Sequence, residues 1–426
     1  MFRYLLFFLL LAGCATDTPP ADTPFVLTDD GAWCWYQDPR AAYIDGAHRR
    51  TYAAWMTAGG QLTVGSYDHD TKGVAMHTLE LDWDVDDHNT ASLLPLDDGR
   101  LMAFYARHNG KGLFTRTTLN PEDITSWSDP VTVSDTDRIT YSHPVYLRDE
   151  GRFYVFWRGP SWKPTFSTSE DGVAWSEPRI LLQETGRESD DIRPYLKVFS
   201  DGKSAIHLAF TDGHPRNEPT NSIYYARYEA GAFHRADGSR IAGMDETPFR
   251  HLESDLVYDV RSSGIRSWIW DIAADADGTP VIAYTRLPEE TDHRYHYARW
   301  NGSGWDDQQI VAAGPWFPQT PAGEAEREVH YSGGIVIHPS HPDIVYLSRP
   351  VDGVFEIERW DTPDAGATWT SHPITQHSEA LNVRPVVPYG YPGTDDLVLW
   401  MNGAYVHYTD YHTGIWIANR TSKIAQ

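Results

Sequence analysis

The chain has 426 residues, of which 60 are acidic and 35 are lysine or arginine, so its formal net charge at pH 7 is −25. This acidity argues against nucleic acid as a partner, because proteins that bind nucleic acid present clustered positive charge. Two cysteines are too few for a disulfide framework or a cysteine-rich zinc site. The 17 Trp, 24 Tyr and 15 Phe favour an all-β architecture, since aromatic residues are enriched in strands.

The first residues have the pattern of a bacterial lipoprotein signal. Arg3 precedes an apolar run over residues 4–12 that is too short to span a bilayer, and small residues then lead to Cys14. We therefore expect residues 1–13 to be a cleaved signal peptide, Cys14 to carry lipid, and residues 14–24 to form a flexible tether. The expected location is the bacterial cell envelope, at the outer membrane because no Asp follows Cys14. An ordinary signal peptide with an incidental cysteine is the alternative.

A turn followed by an apolar and aromatic strand recurs seven times along the rest of the chain. The strands after these turns cover residues 51–56, 101–105, 153–157, 205–210, 281–284, 344–347 and 397–400. Successive turns lie roughly 50 residues apart, which is the length of a propeller blade, with longer intervals after the fourth and fifth turns. We predict that residues 25–426 form one all-β catalytic domain, a seven-bladed β-propeller of four-stranded antiparallel blades, with these seven strands buried on both faces. Two stacked β-sandwiches, the alternative, would not need seven similar units.

Two segments have the Asp-box pattern, in which an Asp-Gly hairpin is followed by a Trp that packs beneath the turn. Residues 169–175 fit the pattern well, and residues 363–369 are a weaker copy. We expect both to be structural staples rather than catalytic motifs.

Polar residues whose side chains could take part in catalysis accumulate beside the strands of three consecutive predicted blades. Blade two offers residues 86–89 together with Arg107 and His108, blade three offers residues 141–144 and Arg158, and blade four opens with residues 190–197. Such a cluster of His, Tyr, Arg and Lys would be the local positive patch that an acidic protein needs to bind a polyanion. Arg158 follows five apolar or aromatic residues, so its charge requires a partner.

These residue types suit β-elimination at a uronic acid. The reaction removes a proton from C5, which requires that the adjacent carboxylate be neutralised, and Arg or a protonated His can do this. His or Tyr can then serve as the base at C5 and as the acid at the leaving O4. Asp86, Asp87, Asp190 and Asp191 leave hydrolysis by two carboxylates open, although Asp pairs also bind calcium or shape turns.

The chain resembles the propeller-type ulvan lyases and related proteins with BNR repeats, from about residue 29 to the C-terminus. The matching segments are residues 33–40, 86–89, 105–108, 141–145, 156–159, 166–169, 193–195, 210–215, 331–335 and 353–360. The resemblance implies a polysaccharide lyase that cleaves ulvan, a sulfated polymer of rhamnose with glucuronic or iduronic acid. It would act by β-elimination at C5 and give unsaturated uronyl oligosaccharides.

The resemblance also implies roles for individual residues. Arg158 would neutralise the substrate carboxylate with help from His108, while His88 and Tyr141 would be the acid–base pair, with the identity of the base left open. The further residues expected to bind substrate are Tyr195, Arg193, Lys163, Lys197, Arg107 and Asn89; among them Lys163, Arg193 and Lys197 would hold sulfate.

No cofactor is needed for this chemistry. The resemblance allows a structural calcium or zinc ion to which His214 would contribute, although Cys34 alone cannot rebuild the cysteine-containing version of that site. The expected partners are an acidic sulfated polysaccharide and, through the lipid, a membrane; a monomer is expected.

Two other functions compete with this hypothesis. A sialidase-like or other glycoside hydrolase on a propeller would need three arginines around one carboxylate, together with a Tyr and a Glu. A non-catalytic glycan-binding lipoprotein would need aromatic platforms but neither His88 nor Tyr141.

Overall fold

The computed structural model describes residues 24–184, 192–216, 218–289, 291–315 and 333–420. The predicted signal peptide, Cys14 and almost all of the tether lie outside these ranges, as do Asp190 and Asp191. The described chain is nearly all β-strand, and its α-helix α1 (Val260–Ser263) is a single turn. Within these ranges, no helix has the length and apolar character required to cross a membrane.

The strands, numbered in chain order, are β1 (Phe25–Thr28), β2 (Ala41–Asp45), β3 (Arg49–Met56), β4 (Leu62–Asp68), β5 (Val74–Glu80), β6 (Ser92–Pro95), β7 (Leu101–Tyr105), β8 (Leu113–Asn120), β9 (Asp123–Trp127), β10 (Val131–Ser134), β11 (Thr140–Leu147), β12 (Arg152–Arg158), β13 (Pro164–Ser169), β14 (Arg179–Ile180), β15 (Leu196–Ser200), β16 (Ala205–Thr211), β17 (Ile223–Glu229), β18 (Ala232–His234), β19 (Arg240–Gly243), β20 (Asp255–Tyr258), β21 (Arg266–Ala274), β22 (Pro280–Glu289), β23 (Asp292–Trp300), β24 (Trp305–Gly314), β25 (Ile335–Ile337), β26 (Ile344–Val351), β27 (Val354–Asp361), β28 (Thr370–Pro373), β29 (Leu381–Val386), β30 (Asp396–His407) and β31 (Asp410–Arg420). Short 3-10 helices cover Asp87–Asn89, Pro160–Trp162, Met244–Glu246 and His251–Glu253.

The described strands form seven antiparallel sheets, which confirms the predicted seven-bladed β-propeller. From its inner strand outward, each blade runs β2–β5, β6-β7-β8-β10, β11–β14, β15-β16-β17-β18-β19, β21–β24, β25–β28 and β29-β30-β31-β1. Two blades have more than the predicted four strands. Blade 2 has five, because β9 also pairs with β8, and blade 4 has six, because it contains both β18 and β19 and because β20 also pairs with β17. The extra strands of blade 4 account for the long interval after the fourth turn. The insertion predicted after the fifth turn falls partly in residues 316–332, outside the described ranges.

The seven strands predicted from the sequence are the second strands of the seven blades. They correspond to β3, β7, β12, β16, β22, β26 and β30, each of which has a hydrogen-bonded neighbour on both sides. Every residue of β7, for example, is buried. A strand in this position packs against the neighbouring blade on each face, which is why its sequence is a continuous apolar run.

The hydrophobic core lies between the faces of adjacent blades. Met102 and Phe104 of blade 2 pack in one cluster with Val155 and Trp157 of blade 3. The first predicted Asp box adds to this interface, because the Trp175 ring lies edge-on to Phe104 at 5.7 Å. Its role as a staple is therefore seen directly, and the role is structural.

The N-terminal strand closes the ring of blades. β1 is the outermost strand of blade 7, where Phe25 is opposite Ile417 on β31. The last blade is thus built from both ends of the described chain, and the β1–β31 hydrogen bonds hold the ring shut.

Residues 33–40 cross the centre of the propeller and connect blades that are far apart in sequence. The Trp33 indole donates a hydrogen bond to the backbone oxygen of Arg384 in blade 7 (3.1 Å), and the Tyr36 hydroxyl donates to the backbone oxygen of Ile269 in blade 5 (3.3 Å). Further along the segment, the Asp38 carboxylate forms an ion pair with Lys197 at the start of blade 4. This central segment is the floor on which the candidate site is built.

Beneath Asp38, the inner strands enclose a cavity of about 60 Å³ in the central channel. Asp271 of β21 faces this cavity, where burial raises the pKa of its carboxyl to about 7. Lys197 opposes the shift, and the negative charge of Asp38 adds to it. Asp271 therefore binds a proton more readily in the folded protein than in the unfolded chain.

We expect this proton to make the stability depend on pH. Its stabilising contribution is fully present below the unfolded pKa near 3.8 and is lost as the pH rises through about 7. The free energy of unfolding of the unmodified protein should therefore decrease by on the order of a few kcal/mol between pH 4 and pH 8. The Asp271→Asn variant should lack this decrease. Denaturant titrations at several pH values measure this difference. The exposed Asp410→Asn change is the control, and equal pH dependence in all three proteins would contradict the expectation.

Candidate functional site

The predicted site residues meet at one edge of blades 2, 3 and 4. In each blade the inner strand begins where the antiparallel second strand ends, as the pairing of Thr140 with Arg158 shows. His88 lies in the 3-10 helix before β6, and His108 lies just after β7. Tyr141 is the second residue of β11, so blades 2 and 3 present these side chains to the same place.

His88 and His108 form a stacked pair. Their rings are nearly parallel, with an interplanar angle of 5° and a centroid separation of 4.1 Å. The two oxygens of Asp86 bridge them, one at 2.7 Å from Nδ1 of His88 and the other at 2.8 Å from Nδ1 of His108. The Tyr408 ring from blade 7 lies edge-on to both imidazoles. The predicted histidine pair is therefore brought together by a carboxylate.

The two imidazoles have opposite electrostatic environments. Burial opposes protonation of His88, but electrostatic interaction with the acidic groups of Tyr141, Cys34, Asp86 and Asp87 raises its pKa well above the usual value. Burial and the neighbouring His88 together lower the pKa of His108 to about 4. These surroundings favour the charged form of His88 and the neutral form of His108.

Tyr141 occupies a special backbone position. Its φ is +62°, in the left-handed region, and the β11–β12 pairing is irregular between Thr140 and His143. A bulky residue in this region costs of order 1–3 kcal/mol, so the surrounding packing must hold it there. Its ring lies 5.6 Å from that of His88 and 5.2 Å from that of Tyr36. Burial raises the pKa of the Tyr141 phenol well above 10, although His88 acts in the opposite direction.

Arg158 is a buried cation surrounded by neutral acceptors. Its side chain donates hydrogen bonds to the Tyr195 hydroxyl (3.0 Å), the Asn109 side-chain oxygen (2.8 Å) and the Thr140 hydroxyl (3.2 Å). It is only 6% exposed, and its guanidinium carbon lies 4.7 Å from the centre of the Tyr141 ring. Within the described ranges it has no carboxylate partner. A buried charge held in this way is suited to an incoming anion.

Two more arginines surround the same area, with Trp162 at their centre. Positive φ values at Ser161 and Trp162 shape the loop that carries this indole. Arg193 lies 4.1 Å and Arg158 4.8 Å from the ring, and Arg138 lies 5.5 Å from it. Three guanidinium groups are therefore grouped around one indole ring. The sequence interpretation did not single out Trp162 or Arg138, because neither belongs to a recognisable motif.

A buried network beneath the histidines was also missed. The Asp87 carboxylate pairs with Arg384 and accepts a hydrogen bond from the Tyr405 hydroxyl (2.8 Å). Its other oxygen lies 2.9 Å from Nδ1 of His88. Arg384 stands between apolar residues of β29, which is the same signal that drew attention to Arg158 and which could have identified it.

Lys197 and Lys163 were predicted to hold sulfate, but the structure places both side chains in the protein interior. Both side chains are 1% exposed. The Lys197 ammonium pairs with Asp38 and donates to the backbone oxygen of Trp35 (2.5 Å), while that of Lys163 donates to the backbone oxygen of Ile192 (2.5 Å). Because these ammonium groups bind other parts of the protein interior, they are structural and do not offer sulfate an exposed cation.

Asn89 and Arg107 also lie differently from the prediction. The Asn89 side chain accepts a hydrogen bond from the backbone N–H of His108 (2.6 Å) and is 2% exposed, so it holds the histidine loop rather than substrate. The Arg107 guanidinium stacks on Trp83 at 4.5 Å and pairs with Asp84. By contrast, Tyr195 lies within the site, where its hydroxyl accepts from Arg158.

His214, the predicted metal ligand, is not grouped with other potential metal ligands in the described part of the chain. Within the described ranges it is absent from every group of three His, Cys, Asp or Glu side chains whose ligand atoms lie within 4.8 Å of one another. Its ring packs on Trp268 at 4.2 Å, and its Nδ1 accepts from the backbone N–H of Arg216. Burial and the cations Arg216, Arg158 and Arg193 lower its pKa well below 6.5. These surroundings do not fit a structural calcium or zinc ion at this residue.

The fold and site together define a β-propeller with a buried arginine beside a histidine–tyrosine cluster. A protein-family model, whose description is "BNR repeat-containing family member", matches residues 50–313. The chain therefore belongs to the BNR repeat-containing family. No curated protein matches the chain.

Solved structures with the same fold include polysaccharide lyases. A PL25 ulvan lyase, solved alone and bound to -[GlcA(1-4)Rha3S]-, aligns in both structures with a TM-score of 0.69 and 14% identity, over 93% of this chain and 96% of that chain. The polysaccharide lyase Uly1 aligns with a TM-score of 0.58 and 12% identity, over 92% of this chain and 97% of that chain. The resemblance inferred from the sequence is thus confirmed, and at these identities it is a likeness of fold.

The buried position of Lys197 leads to a test of its structural role. Removing one partner of a buried ion pair leaves an uncompensated charge, so we expect Lys197→Met to lower the free energy of unfolding by about 3–5 kcal/mol. Adding Asp38→Asn should recover part of this loss. Denaturant unfolding measures both effects, with the exposed Lys203→Met change as the matched control. A Lys197→Met protein as stable as the unmodified one would refute the structural role.

Proposed function

We propose that this protein is a polysaccharide lyase that cleaves ulvan by β-elimination at the uronic acid C5. The observation that carries the proposal is Arg158, a buried guanidinium with neutral hydrogen-bond partners, placed against the Tyr141 ring next to His88. Elimination needs such a cation, because the C5 proton becomes removable only when charge developing on the carboxylate is stabilised.

The other groups that elimination requires lie within the same cluster. One group must take the C5 proton and another must give a proton to the leaving O4. The resemblance to ulvan lyases assigns these transfers to His88 and Tyr141, whose rings are 5.6 Å apart. The site therefore combines a carboxylate-binding cation with proton-transfer groups in direct contact with each other.

The state of the carboxylates argues against hydrolysis at this cluster. A glycosidase needs one protonated carboxylic acid and one ionised carboxylate. Burial opposes ionisation of Asp86, but His88 and His108 keep its pKa well below the usual range. The pKa of Asp87 is also lowered, by Arg384 and His88 against the effect of burial. Neither group holds the proton that a general acid must donate.

The substrate class follows from charge. A sulfated uronate polymer carries a carboxylate on each uronate, which suits the buried Arg158 guanidinium with its neutral hydrogen-bond partners. Ulvan is the polymer we propose, because the structurally similar PL25 ulvan lyase was solved bound to -[GlcA(1-4)Rha3S]-. The product would carry an unsaturated uronyl residue at its new non-reducing end.

The proposal is tested with protein lacking residues 1–14, mixed with ulvan. We expect the ultraviolet absorbance of the new conjugated double bond to rise. His88→Ala should reduce this rate by about 100-fold or more, because it removes a proton-transfer group, and Tyr141→Phe should reduce it equally if the phenol transfers the second proton. Arg158→Met should reduce it by about 100- to 1000-fold through loss of charge stabilisation.

Two substitutions serve as matched controls for that assay. The exposed His412→Ala change and Tyr146→Phe, five residues further along the strand that carries Tyr141, should leave the rate unchanged. New reducing ends without absorbance would establish a hydrolase instead. Binding without either signal would establish a glycan-binding protein, and both results would refute the lyase.

We also propose that lipid on Cys14 holds the enzyme at the cell envelope, at the outer membrane. The support is the apolar run and small residues before Cys14 in the sequence. In a bacterial host that processes lipoproteins, the full chain should therefore fractionate with membranes, and Cys14→Ser should release it into the soluble fraction. Equal membrane retention of both proteins would exclude the lipid anchor.

A further inference from the structure

The shared carboxylate of Asp86 fixes the orientation of both imidazoles. One oxygen lies 2.7 Å from Nδ1 of His88 and the other 2.8 Å from Nδ1 of His108. An ionised carboxylate only accepts hydrogen bonds, so each Nδ1 carries a hydrogen. In both rings Nε2 is therefore the atom that gains or loses a proton during reaction.

His88 has a second carboxylate at the same nitrogen. An Asp87 oxygen lies 2.9 Å from its Nδ1, and the other Asp87 oxygen is occupied by Arg384 and Tyr405. The titratable groups that face His88 from the surrounding elements are Cys34, Asp86, Asp87, His108, Tyr141 and Tyr408. Of these, the two aspartates are ionised at neutral pH, so the surroundings favour a positive charge on His88.

His108 has the opposite balance of neighbours. It shares one carboxylate with His88, and its ring is stacked 4.1 Å from the His88 ring. Its next neighbour along the chain, Asn109, accepts from the Arg158 guanidinium, so a second cation lies nearby. Two charged imidazoles at this separation would repel each other, and therefore only one of them holds an extra proton. The lowered pKa of His108, about 4, agrees with this arrangement.

We infer that Asp86 is a positioning residue that divides the histidine pair into a charged proton donor, His88, and a neutral proton acceptor, His108. This inference rests on the proposed lyase function and changes two roles within it, those of His108 and Tyr141. His108 offers a lone pair at Nε2, so it is the base at C5 and does not help Arg158 to neutralise the carboxylate. Tyr141 transfers no proton in this step, so the inference is overturned if Tyr141→Phe lowers the rate as much as His88→Ala does.

In the resulting step, the number of protons taken up by the site equals the number released. Nε2 of His108 takes the C5 proton, and the electrons of the C5–H bond form the C4–C5 double bond. The C4–O4 bond breaks, and O4 takes the proton from Nε2 of His88. The unsaturated uronyl product and a new hydroxyl group leave, after which His108 loses a proton to solvent and His88 regains one.

The first test is nitrogen NMR of the histidine side chains in the free protein, with His88→Gln and His108→Gln variants to assign the signals. At pH 7 we expect both nitrogens of His88 to be protonated. His108 should be neutral, with hydrogen on Nδ1 alone. A neutral His88 or a charged His108 would overturn the inference. This readout needs no substrate, so it stands apart from any failure of the ulvan assay.

The second test is the Asp86→Asn variant, which keeps the size of the side chain but removes its charge. The pKa of His88 should fall, so the alkaline limb of the kcat/KM profile should move to lower pH, and the rate should drop by about 100-fold. Circular dichroism checks that the variant is folded, and the exposed Asp82→Asn change four residues upstream is the matched control. An Asp86→Asn enzyme with an unchanged pH profile would refute the positioning role, and loss of rate alone would indicate a merely structural one.

Discussion

Charge buried at the centre of a propeller has to be paired, and this requirement organises the site. Lys197 is paired with Asp38, which holds the central segment to blade 4, and Arg384 is paired with Asp87, which holds blade 7 to the histidine helix. Each pair costs desolvation energy, and each would leave an unpaired charge if one partner were lost. Arg158 differs from both cations, because its partners in the described protein are neutral.

This contrast distinguishes Arg158 from the two cations that have a carboxylate partner. A guanidinium that is already matched by a carboxylate has little to gain from a substrate anion, whereas one held by hydroxyl and amide oxygens keeps its charge for a ligand. The same reasoning explains how a protein with a net charge of −25 can present a positive site. Among the described acidic residues, Asp86 contacts the two imidazoles and Asp87 is paired with Arg384.

The strands that could be predicted from the sequence are those in which all residues have the same environment. β7 and β12 are apolar runs because both faces are covered by neighbouring blades, so their pattern was readable. The inner strands were harder to predict from the sequence, since Asp271 faces the central channel and Arg384 belongs to an ion pair, so neither lies in a uniform apolar core. The pairing of His88 with His108 was expected from the resemblance to ulvan lyases, and both residues lie in blade 2.

What the sequence could not supply was the set of contacts between distant blades. The Arg384–Asp87 hydrogen bond joins residues 297 positions apart, and no local pattern marks such a pair. Lys163 and Lys197 were interpreted as surface cations because a lysine beside a polar segment is usually exposed. Only the three-dimensional packing shows that the ends of their side chains are enclosed.

The backbone at Tyr141 limits the sequences that can occupy this position. With φ at +62°, valine, isoleucine or threonine would meet a steric penalty regardless of chemistry, while glycine or asparagine would be tolerated. A library of variants here would first be filtered by conformation and only then by reactivity. Efforts to change the properties of this site should therefore substitute the residues that contact Tyr141, such as Tyr36 and Tyr195, whose backbones are not among those with positive φ.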